Sequence, residues 1–137
     1  MRKILFWISA SAALIISQIA MAETVKIGFV TTLTGGAGAI GNDMRDAVEL
    51  ALDHLGRKMG GSDIKMFYED DTFKPDVGKQ KTEKLVKKDK VHFVTGYIWS
   101  HVLLASRNSV VGKGPFMITS NAAVSYTHLT LPTICSV

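Results

Sequence analysis

The chain has 137 residues, of which 47% are hydrophobic and 20% charged, so its composition is that of a globular protein and not of a disordered one. The formal net charge is +4, but Arg2 and Lys3 lie in a segment that we expect to be removed, and the remaining near-balance gives no reason to expect nucleic acid as a partner. With Cys135 as the single cysteine, this chain cannot build a disulfide framework or a thiolate metal site.

The amino terminus has the three parts of a secretory signal peptide. Two basic residues precede an apolar run over residues 4–16, and Ala20-Met21-Ala22 places small residues at the two recognition positions. A transmembrane anchor is the alternative, but the run is shorter than the ~20 residues that a bilayer span needs, and polar residues interrupt it. We therefore expect residues 1–22 to be cleaved, which leaves a soluble periplasmic chain that starts at Glu23.

The first predicted unit is a strand followed by a helix. Residues 25–30 alternate apolar with small or polar side chains, which is the period of a strand. Asn42 is suited to cap a helix that ends at Gly60-Gly61. The residues that give this helix one apolar face are Met44, Ala47, Val48, Ala51 and Leu55.

The same unit then repeats. Residues 64–68 form a second strand, and Pro75 starts a second helix that runs to about Lys88. Residues 91–94 form a third strand, after which Ser100 caps a third helix. The residues that we expect this third helix to bury are Val102, Leu103, Leu104, Val110 and Val111.

A fourth strand at residues 116–118 completes an alternating order of strands and helices. This order predicts an α/β fold: an open parallel sheet with right-handed crossovers and helices on both faces. Ligands of such sheets bind beyond the carboxyl ends of the strands. The loops that reach this edge are residues 31–41, 69–74, 97–100 and 119 onward.

Residues 36–41 match the G-x-G-x-x-G pattern of dinucleotide-binding proteins and lie between a strand and a helix. The glycines do not follow the strand at once, however, and the acidic pair Asp70-Asp71 comes later in the chain than the pattern requires. We therefore expect no cofactor, and a nucleotide-dependent enzyme is the least favoured function. The alternative is a flexible turn whose backbone amides approach a partner at the start of the next helix.

Neither the lysines nor the histidines predict a further site. Lysines are frequent between Lys74 and Lys90, but acidic residues are interleaved and no aromatic stacking platform accompanies them, which favours a solvated helix face over a nucleic-acid surface. His54, His92 and His101 lack the spacing of metal ligands, and no nucleophile lies beside a recognisable base. We expect neither a metal site nor catalysis.

The segment Tyr97-Ile98-Trp99-Ser100 is the most suggestive of a binding site. An aromatic side chain at the carboxyl end of a strand, followed by a hydroxyl group and the free amides of a helix start, offers an apolar wall and an anion-binding end. The alternative is that Trp99 packs against a neighbouring helix and does nothing more.

Taken together, residues 24–122 resemble the leucine/isoleucine/valine-binding branch of the type I periplasmic binding proteins. The segments that carry the resemblance are Val25-Lys26-Ile27-Gly28 leading to Leu33-Thr34-Gly35, residues 41–51, Glu69-Asp70-Asp71, residues 90–96 and residues 115–122. The resemblance implies two α/β lobes that close on a small solute, with residues 23–123 as an incomplete first lobe. It also implies a role as the substrate-binding component of an ABC importer, with the permease in the inner membrane as partner; the alternative is the exported ligand-sensing domain of a receptor.

Carried over residue by residue, the resemblance puts Ser100 in the place of the hydroxyl that grips the carboxylate of the ligand. Asn121 and Ala122 belong to the next loop, where Asn121 would lend backbone groups, and Ile40 and Trp99 would form walls. Branched-chain amino-acid binders have a threonine two residues after the position of Asn121, where this chain has Ala123. The implied ligand is therefore a small organic carboxylate such as an amino acid, an amide or an aromatic acid, and Trp99 favours a bulky or aromatic one.

Beyond Ala123 the periodicity stops, since residues 124–137 have neither a cap nor an apolar stripe. Residues 124–133 spell Val-Ser-Tyr-Thr-His-Leu-Thr-Leu-Pro-Thr, which is the translation of a DNA string that resembles a transposase adapter of sequencing libraries. We therefore expect residues 124–137 to be a non-native tail. The alternative is a natural threonine-rich strand.

Overall fold

The structure is a computed structural model that describes residues 23–119 and residue 122. The expected signal peptide, Asn121 and the expected tail lie outside the described residues. The elements within them are β1 (Val25–Thr31), α1 (Gly38–His54), β2 (Lys58–Met59), β3 (Ser62–Asp70), α2 (Pro75–Lys84), β4 (Phe93–Thr95), α3 (Ser100–Arg107) and β5 (Phe116–Met117). A π-helical segment, Leu85–Asp89, continues α2.

The strands form one open sheet in the order β2-β3-β1-β4-β5. The four strands from β3 to β5 run parallel, as predicted, with Thr31 opposite Asp70 and Phe29 opposite Thr95. From β1 the chain first moves to β3 on one side and then crosses back to β4 on the other. The sheet therefore has a topological switch point at the carboxyl end of β1, between the β1 and β4 loops, and such a point is where sheets of this class bind their ligands.

The first helix begins five residues earlier than predicted, with Ala37 in place of Asn42 at the N-cap position. Asn42 does not cap it, because the Asn42 Nδ2 atom donates to the carbonyl oxygens of Leu33, at 3.0 Å, and Gly38, at 2.8 Å. The asparagine therefore ties α1 to the loop after β1 instead of starting the helix.

The same helix ends at His54, ahead of the glycine pair expected to stop it. Gly60 and Gly61 have φ angles of 58° and 86°, and they form the tight turn between β2 and β3, which pair antiparallel. The sheet therefore has a short antiparallel edge that the alternating pattern did not predict.

The third helix also differs from its prediction. Trp99 occupies the N-cap position and Ser100 is the first helical residue, so the predicted serine cap is wrong. Buried residues on α3 are Val102, Leu103 and Ser106, which lie on one side of the helix. Leu104 is 40% exposed because it lies off that side, and Val111 is 46% exposed beyond the end of the helix, so the predicted burial of both was wrong. Val110 is buried as predicted, although it too lies beyond the helix.

Helices cover both faces of the sheet, which confirms the predicted architecture. On one face, α2 and α3 pack over a core whose members are Val30, Leu85, Val91, Val94, Tyr97, Val102, Leu103, Val110 and Ala122. Gly28 lets α2 and its continuation approach β1, since a Cβ atom there would lie 2.8 Å from Leu85 Cδ1. On the other face, α1 borders a more open apolar groove of about 420 Å³ that Phe29 and Met66 help to line.

Candidate functional site

Three loops meet at the carboxyl edge of the sheet and enclose a cleft of about 360 Å³. They are the loops that follow β1, β3 and β4, so the cleft lies at the switch point of the sheet. The residues that line it are Thr34, Gly35, Gly36, Ala37, Thr72, Phe73 and Trp99. The volume falls near the lower end of the ~300–1,000 Å³ of small-molecule pockets.

Trp99 is both a packing residue and a wall of this cleft. Its indole packs against the core and meets the ring of Phe73 edge to face, with ring centroids 4.8 Å apart and planes at 90°. The indole Nε1 atom donates to Thr32 Oγ1 at 3.0 Å. The two interpretations of Trp99 offered by the sequence are therefore compatible, because packing against the core holds in place the indole that lines the cleft.

The acidic pair at the end of β3 fastens the loop after β1. Asp70 accepts hydrogen bonds from the backbone N–H of Leu33, at 2.9 Å, and from the hydroxyl of Thr34, at 2.6 Å. Asp71 Oδ1 accepts one from the hydroxyl of Thr32 at 2.5 Å, and both of these side chains are fully buried. Burial opposes ionisation of Asp70, but its hydrogen bonds from Thr34, Leu33 and Thr72 outweigh burial and lower its pKa.

The glycine pattern at residues 36–41 has a packing role. A Cβ atom on Gly38 would lie 2.7 Å from the carbonyl oxygen of Leu33, and one on Gly41 would lie 1.9 Å from that of Thr32. Both glycines therefore allow the start of α1 to touch the loop that precedes it. Gly36, by contrast, has open space where its side chain would be.

Two helix starts border the cleft, and the carboxylate of Asp70 also lies beside it, hydrogen-bonded to the lining residues Thr34 and Thr72. The lining side chains are uncharged, and the first turns of α1 and α3 contain no acidic residue. Ala37 and Trp99, which line the cleft, are the residues directly before these two helices. The partial positive charge of both helix starts is therefore available beside an aromatic wall, a combination that suits a small apolar carboxylate.

Among the predicted ligand-binding residues that the structure describes, which are Ile40, Trp99, Ser100 and Ala122, Trp99 alone lines the cleft. Ser100 follows it directly, exposed at the start of α3. Ile40 is 47% exposed on the first turns of α1 and does not line the cleft. Ala122 is buried in the core, and its carbonyl oxygen accepts a hydrogen bond from Thr119.

Phe73 is the cleft residue that sequence reasoning missed. It lies in the loop after β3, within the range expected to reach the binding edge, and its side chain is 48% exposed. The signal that singled out Trp99, an aromatic residue just beyond the carboxyl end of a strand, also applies to Phe73. Its meeting with Trp99 depends on the fold, because 26 positions separate the two residues along the chain.

The described residues contain neither a membrane-spanning helix nor a metal-ligating cluster. Within residues 23–119, none of the helices is long and apolar enough to cross a membrane. Over the same residues and Ala122, no cluster of three or more histidine, cysteine or acidic side chains is placed to hold a metal ion.

The family model for periplasmic binding proteins matches residues 24–136. The chain belongs to this family. A Leu/Ile/Val-binding protein of Rhizobium johnstonii, BraC3, is 28% identical over 113 residues, which cover 81% of this chain and 30% of that protein. This relative of the chain is thus named as a binding protein.

Solved structures of related proteins have the same fold over the matched part. An ABC transporter substrate-binding protein from Sphaerobacter thermophilus is 31% identical with a TM-score of 0.70, over 76% of this chain and 28% of that one. A solute-binding protein of an ABC transporter from Rhodopseudomonas palustris BisB5, in complex with 3,4-dihydroxybenzoic acid, is 28% identical with a TM-score of 0.68, over 75% and 28%. This periplasmic binding protein chain spans less than a third of the length of each of these relatives.

Proposed function

We propose that this chain is part of the exported substrate-binding component of an ABC importer, and that it binds a small organic carboxylate without transforming it. The observation that carries the proposal is the cleft at the switch point of the sheet. It combines an aromatic wall with two helix starts that lack acidic residues. Membership of the periplasmic binding protein family makes solute binding the function that this geometry serves.

The relatives support a carboxylate as the group that is recognised. BraC3 is named for leucine, isoleucine and valine, and the Rhodopseudomonas palustris protein was solved with a dihydroxybenzoic acid. These ligands differ in shape and share a carboxylate. A common anion site with variable walls explains such a series, since the walls set which side group fits.

In the proposed arrangement the ligand carboxylate lies at the start of α3. Ser100 donates its hydroxyl to the carboxylate together with nearby backbone amides, and the loop of Asn121 and Ala122 contributes further backbone groups. Trp99 covers the apolar part of the ligand, and Ile40 forms a second wall once a second lobe closes over the cleft. Residues 23–123 then act as part of the first lobe, and the permease in the inner membrane receives the solute.

Calorimetry on the full-length product of the gene tests this proposal with a panel of aromatic acids, branched amino acids and short amides. Ser100→Ala should weaken binding of carboxylates by about 1–3 kcal/mol, the usual loss when a charged acceptor loses a partner. Ser109→Ala is the matched control, because Ser109 lies beyond the other end of α3 and its hydroxyl contacts Glu83. A protein that binds no carboxylate of the panel would contradict the proposal.

A further inference from the structure

Phe73 occupies a backbone conformation that calls for an explanation. Its φ angle is 64° and that of Thr72 is 49°, so two successive residues that are not glycine adopt the left-handed region. Such conformations are uncommon for side chains of this size and persist where the surroundings hold them. Strain of this kind concentrates at binding sites, and Phe73 and Thr72 both line the cleft.

Two carboxylates hold this turn. Asp70 Oδ1 accepts a hydrogen bond from the N–H of Thr72, and Asp71 Oδ1 accepts one from the N–H of Phe73, each at 2.9 Å. Asp71 is fully buried, and its own N–H donates to the carbonyl oxygen of Thr31 at 3.0 Å. The turn is therefore anchored to the end of β1 from below, and Phe73 is presented at the surface.

The same oxygen of Asp71 is also connected to Trp99, through the hydroxyl of Thr32. Asp71 Oδ1 accepts the hydroxyl of Thr32, and Thr32 Oγ1 in turn accepts the indole N–H of Trp99. One buried carboxylate oxygen thus connects the backbone of Phe73 with the ring of Trp99 through a single hydroxyl. We call this chain of hydrogen bonds, formed by Asp71, Thr32, Trp99 and the backbone of Phe73, the Asp71 relay.

The two aromatic walls that the Asp71 relay connects meet at a right angle. The rings of Phe73 and Trp99 stand perpendicular at 4.8 Å, and the ring of His101 lies 5.0 Å from that of Phe73. A flat ring placed in this corner stacks on one wall while its edge meets the other, the two arrangements that aromatic pairs prefer. A branched aliphatic side chain covers less of both faces, and walls already held in place lose little freedom on binding.

We propose that the Asp71 relay preforms the corner of Phe73 and Trp99, and that this corner makes the site selective for aromatic carboxylates over branched aliphatic ones. Asp71 and Thr32 act as positioning residues, whereas Phe73 and Trp99 touch the ligand. The inference rests on the proposed function, because it takes for granted that the cleft binds a carboxylate, and it adds the class of ligand and the residues that choose it.

The test compares binding of benzoate and isoleucine by calorimetry, using the full-length protein. Wild type should bind benzoate more tightly than isoleucine, by about tenfold or more. Phe73→Ala should weaken benzoate binding by about tenfold and isoleucine binding by clearly less, since one aromatic contact is lost. Phe116→Ala is the matched control, because Phe116 is an exposed aromatic residue on β5 that lies outside the cleft.

The positioning role is tested with a pair of variants at Thr32. Thr32→Val keeps the shape of the side chain and removes the hydroxyl that joins Trp99 to Asp71, so benzoate binding should weaken about threefold to tenfold, and more than isoleucine binding. Thr32→Ser keeps the hydroxyl and should restore the benzoate-to-isoleucine ratio. A general packing defect would not be rescued in this way, and circular dichroism shows whether each variant is folded.

The outcomes separate the two proposals. If wild type binds no carboxylate at all, the proposed function fails. If it binds isoleucine as tightly as benzoate, or if the ratio is unchanged in a folded Phe73→Ala or a folded Thr32→Val protein, the aromatic corner preformed by the relay is refuted while the proposed function stands. If Thr32→Val does not fold, Phe73→Ala alone decides whether the corner selects the ligand, and an unchanged ratio there refutes it.

Discussion

Replacing Gly41 with alanine should destabilise the protein, although alanine is the better helix former. Gly41 lies in α1, where alanine is intrinsically favoured over glycine by about 1 kcal/mol. The new Cβ atom, however, would lie 1.9 Å from the carbonyl oxygen of Thr32 and 2.7 Å from its carbonyl carbon. Real Cβ atoms essentially never approach within 3.0 Å, so helix and loop must separate by about 1 Å.

The new Cβ atom would clash with backbone atoms of Thr32, and these cannot rotate away as the end of a side chain can. Overpacking of this kind costs typically about 1–3 kcal/mol, and a rigid backbone partner puts Gly41→Ala near the upper end. After the gain in helix propensity, we expect a net loss of about 2 kcal/mol in the free energy of unfolding. Because Thr32 belongs to the Asp71 relay, binding should weaken as well.

Urea denaturation followed by circular dichroism measures this change. Gly36→Ala is the matched control: it lies in the same glycine-rich segment, has open space around its missing Cβ atom and does not have a positive φ angle. It should leave stability within about 1 kcal/mol of wild type or raise it slightly. A Gly41→Ala protein as stable as wild type would refute the close approach of α1 to the loop after β1.

Three further predictions concern acid, export and the tail. Burial opposes ionisation of Glu69 and Asp70, but their hydrogen bonds outweigh burial and lower both pKa values. The two carboxylates therefore stabilise the fold at a pH above their ordinary pKa values of 4.5 and 3.8. The free energy of unfolding should fall as the pH drops below about 4.5. Unchanged urea midpoints between pH 7 and pH 3 would contradict this. Fusion of residues 1–22 to a reporter should deliver it to the periplasm with cleavage before Glu23, and a reporter retained in the cytoplasm would argue against export. Resequencing the source DNA should show the reading frame continuing past Asn121-Ala122 into another helix and a second lobe; a native gene that encodes residues 125–137 would prove the adapter interpretation wrong.

Much of the fold follows from local patterns. The alternation in residues 25–30 and the helical spacing after Pro75 are properties of neighbouring side chains, because a strand repeats every two residues and a helix every 3.6. The order of these elements then predicted a parallel sheet with helices on both faces, which the structure confirms. Trp99 was recognised for the same reason, since its place just after a strand puts it at the binding edge.

Element boundaries were less predictable, because partners distant in the chain compete for the groups at the ends of helices. Asn42 has a side chain that often caps helices. Its side-chain amide instead donates a hydrogen bond to the carbonyl oxygen of Leu33 across the loop, and α1 extends back to Gly38. Ser100 is likewise a good capping residue that occupies the first turn of α3 instead. Local preferences of this kind amount to about 1 kcal/mol, and tertiary contacts readily override them.

The geometry of the cleft depends on contacts that no local pattern encodes. Thr32 meets Asp71 across 39 positions of the chain, and Trp99 meets Thr32 across 67. The left-handed turn at Thr72 and Phe73 is held by the carboxylates of Asp70 and the buried Asp71, which accept its backbone amides. Neither threonine nor phenylalanine favours this conformation by its own preference. Residue types and their order thus predict which edge of the sheet carries the candidate cleft, whereas the angle between its two aromatic walls arises when the parallel strands bring their loops together.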